Sequence, residues 1–446
     1  MTQAFDAAAQ QTLLESRVAV ALEQARTLGA DACEVGASVD QGTGVNVRMG
    51  DVESVELSRD QGIAVTVYVG KRKGSASSSD AGEASIRAVV EKAIDIARYT
   101  GEDPYAGLAD AELMATEFPD LKVHHSWSLT TDEAIELALA CENAGREVEG
   151  IANSDGAGLS TGEGVRVYGN SHGFLAGQRG SRHSLSCMLI ARDEQGMQRD
   201  YDYSSERDPA KLSSPQTIGR SAAERTLRRL GARRPETGRL PVLFAPELAS
   251  GLVGHFLNAI AGGALYREAS FLCDSLGKPL FPEWFTLQEK PRQIGGMASS
   301  SFDSDGVYTR DNVFVDSGRI ASYMLSAYSA RRLNMTTTGN AGGARNLRIE
   351  APLTAQADLL AQIERGVLVT ELMGQGVNGV TGDYSRGAAG FWVENGKIQY
   401  PIEEFTVAGN LNAMFANLIG VGDDIDTRGS IHTGSWLIDD MTVAGS

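Results

Sequence analysis

The chain has 446 residues, 42% of them hydrophobic, so it is long enough to bury the cores of two or three domains without disulfides or bound metals. Asp and Glu number 58 against 40 Lys and Arg, which gives a formal charge of -18. This acidic balance argues against nucleic-acid binding, which needs a basic face, and against docking on anionic lipid. We therefore expect neither nucleic acid nor a membrane as a partner.

The first predicted elements are a helix, a group of strands and a second helix. Apolar spacing over 11–29 predicts an amphipathic helix, and alternating Val and Ile over 32–79 predict strands separated by Gly or Asp turns. The stripe of apolar residues over 80–100 predicts another helix, with Asp80 and Glu83 as its capping pair.

The same order of elements then recurs. Thr130 and Glu133 fit a capping box at the start of a helix, and strands are predicted over 164–203. Ser214, followed by proline at the first helical position, predicts a further helix that ends near Leu230.

This recurrence indicates an internal duplication of the N-terminal half, residues 1–235. The Gly-Val-x-Val stretches at 44–47 and 164–167 hold the same place in copies that we set at 1–120 and 121–235. Two unrelated α+β segments remain the alternative, because the copies share little sequence.

Residues 236–446 have a different pattern. An apolar strand at 241–245 leads into a helix over 246–260, and many short strands separated by glycines follow. We interpret this part as a β-rich C-terminal domain. The helices flank groups of strands rather than alternating with single ones, which predicts the α+β class.

Three short motifs resemble functional sites. G-x-G-x-x-G at 374–379 lacks the following helix that a dinucleotide site needs, and G-x-S-x-G at 158–162, with Ser160, is followed by a strand rather than a helix, which favours a hairpin turn. Residues 303–306 are acidic but lack calcium-loop spacing, so we expect a turn before a strand at 307–308. A hydrolase using Ser160 or Ser250 is therefore disfavoured.

Histidine, cysteine and the chain start bear on metal and location. The six histidines include no H-E-x-x-H, so the sequence alone makes no complete zinc site. The four cysteines form no C-x-x-C pair, and the start has no signal-peptide pattern. The longest weakly polar run, 251–266, is shorter than the ~20 residues of a spanning helix. We expect reduced cysteines and a cytoplasmic location.

Long motifs carry a resemblance to a known family. They are FDSDGV at 302–307, YMLSAYSARRL at 323–333, TGNAGG at 338–343, LVTELMGQGVN at 368–378, DYSRGAAGFW at 383–392 and GSWLIDDMTVAG at 434–445. Through them the chain resembles the TldD/PmbA family, and the last three point to its PmbA (TldE) branch. The resemblance covers nearly the whole chain.

The resemblance implies a cytoplasmic zinc protease of two halves that acts on unfolded or flexible peptides, in peptide maturation or antitoxin degradation. In the family the TldD half carries H-E-x-x-x-H on a helix and a cysteine near its C-terminus. A metal-bound water then attacks the peptide carbonyl while the glutamate transfers its proton. The corresponding window here has Ser250 in place of the first histidine and Gly251 in place of the glutamate, and keeps only His255.

No cysteine follows Cys273, and His432 lies near the expected place of the family's third ligand. We therefore expect no catalytic residue, metal ligand or cofactor in this chain, with zinc in a TldD-like partner. The residues expected at a substrate channel or an interface are His255, His432, Asp303, Tyr328, Arg331 and Arg386.

Two functional hypotheses follow from this sequence. The first is a non-catalytic subunit that pairs with a TldD-like chain and encloses unfolded peptide. The second is a homo-oligomeric regulator that binds peptides or proteins, in line with the family's older description as a modulator of DNA gyrase; glycine-rich β surfaces can accept a peptide by strand addition. Both hypotheses allow the isolated chain to form a homodimer.

Overall fold

The computed structural model describes residues 5–194 and 196–445. Its N-terminal half contains the same helix–strands–helix order twice. The first copy consists of α1 (Ala7–Thr27), β1 (Ala32–Arg48), β2 (Asp51–Val69), β3 (Arg72–Ser78) and α2 (Glu83–Tyr99). The second consists of α3 (Thr131–Arg146), β4 (Ile151–Asn170), β5 (Leu175–Arg192), β6 (Met197–Glu206) and α4 (Pro215–Leu227).

Local sequence signals account for several helix starts. Thr130 and Glu133 form the predicted capping box at α3, and the Ser214 side chain accepts a hydrogen bond from the Thr217 N–H at the start of α4. The prediction for α2 was wrong: its N-cap is Gly82, with no side-chain cap. Asp80 instead accepts hydrogen bonds from the Gly82 N–H and the Ser85 hydroxyl, which fixes the turn before the helix.

Within the described ranges the two copies build one six-stranded antiparallel sheet in the order β3-β2-β1-β4-β5-β6. The four helices cover one face, where alternate residues of β1 such as Val35 and Val45 are buried against them. The opposite face carries small and polar residues, among them Gly36, Ser38 and Asp40, and no helix of the N-terminal half packs on it.

The C-terminal half is rich in short strands. Its helices are α5 (Pro246–Ala259), α6 (Gly262–Leu265), α7 (Ala327–Arg332), α8 (Gln356–Ala361) and α9 (Leu411–Ala416). Its strands are β7 (Gly238–Phe244), β8 (Thr286–Glu289), β9 (Asn312–Asp316), β10 (Arg319–Ile320), β11 (Leu347–Glu350), β12 (Leu353–Thr354), β13 (Arg365–Met373), β14 (Asp383–Glu394), β15 (Lys397–Asn410), β16 (Leu418–Gly422), β17 (Ile431–His432) and β18 (Trp436–Ala444).

These strands form two further sheets in the part of the chain that the structure describes. One has the order β10-β9-β8-β11-β17, and the other the order β12-β16-β18-β15-β14-β13-β7. An additional pairing of β18 with β7 closes part of the second sheet into a ring, which removes exposed strand edges there. Phe256 on α5 packs in the main core of this half against Phe281, Phe415 and other aromatic side chains.

The α+β class and the β-rich C-terminal region are confirmed, while some local predictions were wrong. Residues 158–162 lie inside the continuous strand β4, not in a hairpin turn, and β4 begins at Ile151 rather than near residue 164. Residues 307 and 308 make isolated bridges rather than a strand. As predicted, no helix follows the glycines at 374–379, which lie between β13 and β14. None of the helices within the described residues is long and apolar enough to cross a membrane.

Candidate functional site

The helix α5 carries residues 250–255, the window that the resemblance aligns with a metal motif. Proline occupies the first helical position, and the Ser250 hydroxyl donates a hydrogen bond of 2.7 Å to the Glu247 carbonyl oxygen. Gly251 is exposed and has open space where a side chain would begin. Residue 251 therefore supplies no carboxylate, and the Ser250 hydroxyl is already hydrogen-bonded within its own helix.

His255 is half-buried on α5 beside Tyr384 of β14. The two rings meet edge to face with centroids 6.0 Å apart. Burial, and secondarily the positive charge of Arg386, lower the pKa of His255, which favours the neutral imidazole. The Tyr384 hydroxyl is buried and has no hydrogen-bond partner in the described part of the chain, and burial raises its pKa.

His432 lies on β17, next to β11. Its Nε2 atom is 3.2 Å from the Gly429 carbonyl oxygen, so the ring is held by its own loop. Among residues 5–194 and 196–445, no group of three or more His, Cys, Asp or Glu side chains could hold a metal ion. The donor set around the α5 window therefore does not fit the zinc centre that the family resemblance implies for the catalytic half.

Asp303 is almost fully buried and organises a turn. Its carboxylate accepts hydrogen bonds from the N–H groups of Asp305, Val307 and Ala341 at 2.9 to 3.0 Å. Burial, together with the neighbouring Asp305 charge, nevertheless raises the pKa of Asp303 to about 6. All these partners are backbone groups, so the structure gives Asp303 a turn-forming role, in agreement with the turn predicted at 303–306.

Tyr328 and Arg331 lie on α7 and hold a contact inside the chain. The Tyr328 hydroxyl donates to Asp103 at 2.8 Å, and Arg331 donates to the backbone carbonyls of Gly107 and Leu108. These groups join the C-terminal half to the segment after α2. Arg386 donates from Nε to the Met373 carbonyl oxygen at 3.1 Å, across the β13–β14 pair, and its charge acts on His255.

Arg428 and the three acidic side chains around it, which we call the arginine cluster, join the N-terminal half to the C-terminal half. The sequence analysis did not predict this cluster. Arg428 makes ion pairs with Asp202 of β6 at 3.2 Å, with Glu247 of α5 at 2.8 Å and with Asp426 at 2.8 Å. Burial opposes the charged forms, but the hydrogen bonds between Arg428 and Asp426 raise the pKa of the arginine and lower that of the aspartate. Asp202 and Glu247 lie 226 and 181 residues from Arg428 in sequence, so no local pattern could have indicated these two ion pairs.

A large cleft lies over the open face of the six-stranded sheet. Its volume is about 1290 Å³, and its lining includes Gly36, Gly42, Gly162 and Gly164 on the sheet and the loop at 297–304 of the C-terminal half. At these glycines the cleft has no side chain, although Arg166, Tyr168 and Arg182 of the same sheet also line it. Glycine at alternate positions of β1 and β4 was the sequence signal that could have indicated this cleft.

Three family models match the chain in order. They are PmbA/TldA metallopeptidase domain 1 at residues 33–97, the central domain at 124–230 and the C-terminal domain at 237–445. The chain is also 47% identical to the metalloprotease PmbA of Escherichia coli O157:H7, over 98% of its own length and 97% of that protein. The chain belongs to the PmbA/TldD family. The Haemophilus influenzae PmbA homologue is 45% identical over the same shares of the two chains.

Solved structures of similar proteins have the same fold. A Bacteroides thetaiotaomicron protein named as a modulator of DNA gyrase superposes with a TM-score of 0.91 at 27% identity, covering 97% of this chain and 99% of its own. TldE from Thermococcus kodakarensis superposes with a TM-score of 0.84 at 20% identity, covering 97% and 100%. The chain is therefore metallopeptidase-like in sequence family and architecture.

Proposed function

We propose that this chain is a non-catalytic, TldE-like subunit of a heteromeric zinc metalloprotease that cleaves unfolded or flexible peptides together with a TldD-like partner. The observation that carries the proposal is the α5 window, in which Ser250 and Gly251 stand where a ligand and a base would be needed. In this proposal the zinc belongs to the partner, and this chain has no cofactor of its own.

The local geometry of α5 supports a non-hydrolytic role. Hydrolysis at a zinc centre needs several ligands and a base that takes the proton of the attacking water. His255 is one half-buried histidine whose pKa is lowered, and Gly251 has no side chain that could act as a base. One imidazole alone supplies neither the coordination nor the proton transfer.

The cleft over the sheet supports peptide as the substrate class. Glycines at four positions of β1 and β4 leave room for an extended backbone, and arginines of the lining, such as Arg166 and Arg182, can donate hydrogen bonds to its carbonyl oxygens. A folded domain would meet the loop at 297–304 on one side. These features favour extended chains, which is the substrate that the family resemblance implies.

The test is a cleavage assay with three samples: this chain alone, a TldD-like chain alone, and both together. We expect zinc-dependent cleavage of an unfolded casein-type peptide mixture only where the TldD-like chain is present, and faster cleavage with both. Zinc-dependent cleavage by this chain alone, abolished by a chelator, would contradict the proposal.

A matched pair of glycine variants tests the role of the cleft. Gly36 faces the cleft and Gly101 lies outside its lining, and neither has an atom within 4 Å of an added Cβ. We expect Gly36→Phe to reduce cleavage by the mixed sample and Gly101→Phe to leave it unchanged. Equal activity of the two variants would argue against peptide passage along the sheet.

The alternative is a homo-oligomeric regulator that binds peptides or proteins and has no part in proteolysis. The same cleft favours it, because peptide binding alone requires no metal. Size measurements with and without the TldD-like chain discriminate between the two. A stable homo-oligomer that does not bind the TldD-like chain, and that binds the peptide mixture without accelerating its cleavage, would favour the regulator.

A further inference from the structure

One half of strand β2 has an unpaired edge. β2 pairs with β1 along its whole length, but β3 pairs with it only from Ile63 to Val69. No other described strand pairs with residues 51–62, which we call the open edge. The backbone N–H and C=O groups there that point away from β1 are therefore available to another strand.

One face of the open edge carries exposed apolar side chains. Val52, Val55 and Leu57 are exposed by 45%, 41% and 61%, and Met49 in the adjoining turn by 46%. The register places all three strand residues opposite Val47, Val45 and Thr43, on the face that the helices cover elsewhere. Among the residues that the structure describes, no helix buries these three side chains, which form an apolar stripe beside the unpaired backbone.

The second copy shows what a covered edge looks like on the same scaffold. Val45 pairs with Val55 in the first copy, and its counterpart Val165 pairs with Arg179 in the second, so Leu57 corresponds to Ser181. Ser181 is 2% exposed. Its N–H donates to the Val123 carbonyl oxygen at 3.0 Å, and its carbonyl oxygen accepts from Arg207 at 2.7 Å.

By this correspondence the N–H of Leu57 also points away from β1, where Ser181 has its partner. The first copy thus has the same outward backbone groups as the second, with an apolar stripe in place of the covering segment. An edge of this kind, left bare, is a template for pairing with another chain.

The open edge is held rigid rather than loose. The buried carboxylate of Glu142 on α3 accepts hydrogen bonds from the Met49 and Gly50 N–H groups at 2.7 and 2.8 Å, which fixes the β1–β2 turn. A rigid edge loses little conformational entropy when another strand pairs with it.

The charges of the open edge indicate which kind of strand fits. Asp51, Glu53, Glu56 and Asp60 are acidic, against one basic residue, Arg59. A second copy of this chain would bring these acidic groups close to their own counterparts, and like charges across a strand pair are destabilising. A strand with Lys or Arg at alternate positions would be attracted to them.

We propose that the open edge docks a β-strand of a different protein chain, one that presents apolar residues on one face and Lys or Arg on the other, and so extends the six-stranded sheet. The inference rests on the proposed function in one respect: the chain that we assign to the open edge is the TldD-like partner of that function.

The experiment measures the dissociation constant between the full-length chain and a TldD-like chain by calorimetry. We expect the Val55→Asp/Leu57→Asp variant to bind at least about 30-fold more weakly, as loss of a central interface anchor does. Leu57→Pro keeps an apolar residue but removes the outward N–H, and should also weaken binding. Met197→Asp is the matched control, because Met197 is 68% exposed on the opposite edge strand of the same sheet.

A charge variant tests the nature of the partner strand. Glu56→Lys should raise the dissociation constant and reduce its dependence on salt, because it removes an attraction to basic side chains. Circular dichroism of every variant should show that the fold is kept, as expected for exposed positions.

The outcomes separate this inference from the proposed function. Equal affinity of the wild type and the edge variants would overturn the docking edge alone. Binding that is lost in the edge variants, without any cleavage by the complex, would overturn only the proposed function. No complex with the wild type would overturn both. A self-associated chain that the Asp variants dissociate would show a second copy at the edge, and a changed KM for peptide at constant partner affinity would show substrate there; either overturns the inference.

Discussion

The two copies of the N-terminal half share their element order and one sheet, yet they differ in how they meet the rest of the molecule. In the second copy, β6 reaches Arg428 through Asp202, and the edge of β5 is covered around Ser181. In the first copy, the corresponding edge of β2 is bare, and the contact with the C-terminal half comes from the segment after α2.

The two segments therefore combine the same kind of packing with different surface contacts. The buried Val and Ala positions of both copies serve the same packing of helices on one sheet face. Only the edges and the connecting segments diverge. The second copy contacts the C-terminal half through β6, and the first contacts it through the segment after α2, while residues 51–62 of β2 have no second partner among the described strands.

The largest effect is expected from a variant that removes the contact between the second copy and the C-terminal half. Arg428→Ala would leave Asp202, Glu247 and Asp426 close together without their common cation, so we expect a loss of about 3 kcal/mol of unfolding free energy in urea titrations. Arg239→Ala is the control: Arg239 pairs only with Asp440, both side chains at least half exposed, and no measurable change is expected. Equal stability of the two variants would mean that the arginine cluster does not hold the halves together.

The next effect concerns the close approach of the helices in the second copy. A Cβ on Gly219 of α4 would lie 2.1 Å from the Cys141 carbonyl oxygen of α3, so Gly219→Ala should cost about 2 kcal/mol despite the better helix propensity of alanine. Gly251→Ala on α5 has no atom within 4 Å and should gain up to about 1 kcal/mol. A stabilised Gly219→Ala, measured by thermal unfolding, would show that α3 and α4 can separate without cost.

A smaller effect is expected at the contact between the two copies, where Glu142 of α3 binds the β1–β2 turn. Glu142→Gln replaces one of the two oxygens that accept from the Met49 and Gly50 N–H groups with a donor, so we expect a loss of about 1.5 kcal/mol. Hydrogen exchange at these two amides should become faster. Glu136→Gln on the exposed side of the same helix is the control. Unchanged exchange would show that the β1–β2 turn is ordered without the carboxylate.

Signals that act over a few residues were predictable from the sequence. The capping box at Thr130 and the proline after Ser214 predicted their helices, since each depends on groups three or four residues apart. The start of β4 was missed because residues 151–163 contain several Gly and Ser, and only Ala157 and Leu159 among them are apolar and buried, which is too few for a clear alternation. Asp80 was misassigned because a turn and a helix cap use the same side-chain chemistry.

In the candidate site, too, local features were predictable and long-range contacts were not. The window at Ser250, Gly251 and His255 was indicated by the family resemblance, and it lies on the helix α5, as the predicted helix over 246–260 required. That this window is a degenerate metal motif stays a prediction. Neither the ring of Tyr384 against His255 nor the meeting of Arg428 with Asp202 could be predicted. Both depend on which strands become neighbours in the folded chain, and a single sequence carries little information about that.

The smallest expected effect concerns the attachment of the first copy. Tyr328→Phe removes one hydroxyl that donates to Asp103 at 2.8 Å near the surface, so we expect a loss of about 1 kcal/mol or less. The pKa of Asp103, held low by the Tyr105 N–H and also by this hydroxyl, should rise towards its ordinary value in NMR titrations. Tyr99→Phe on α2, where the ring is 92% exposed, should change neither quantity. A loss as large as that of Arg428→Ala would mean that both copies are anchored equally firmly, and the contrast between them would then rest on the open edge alone.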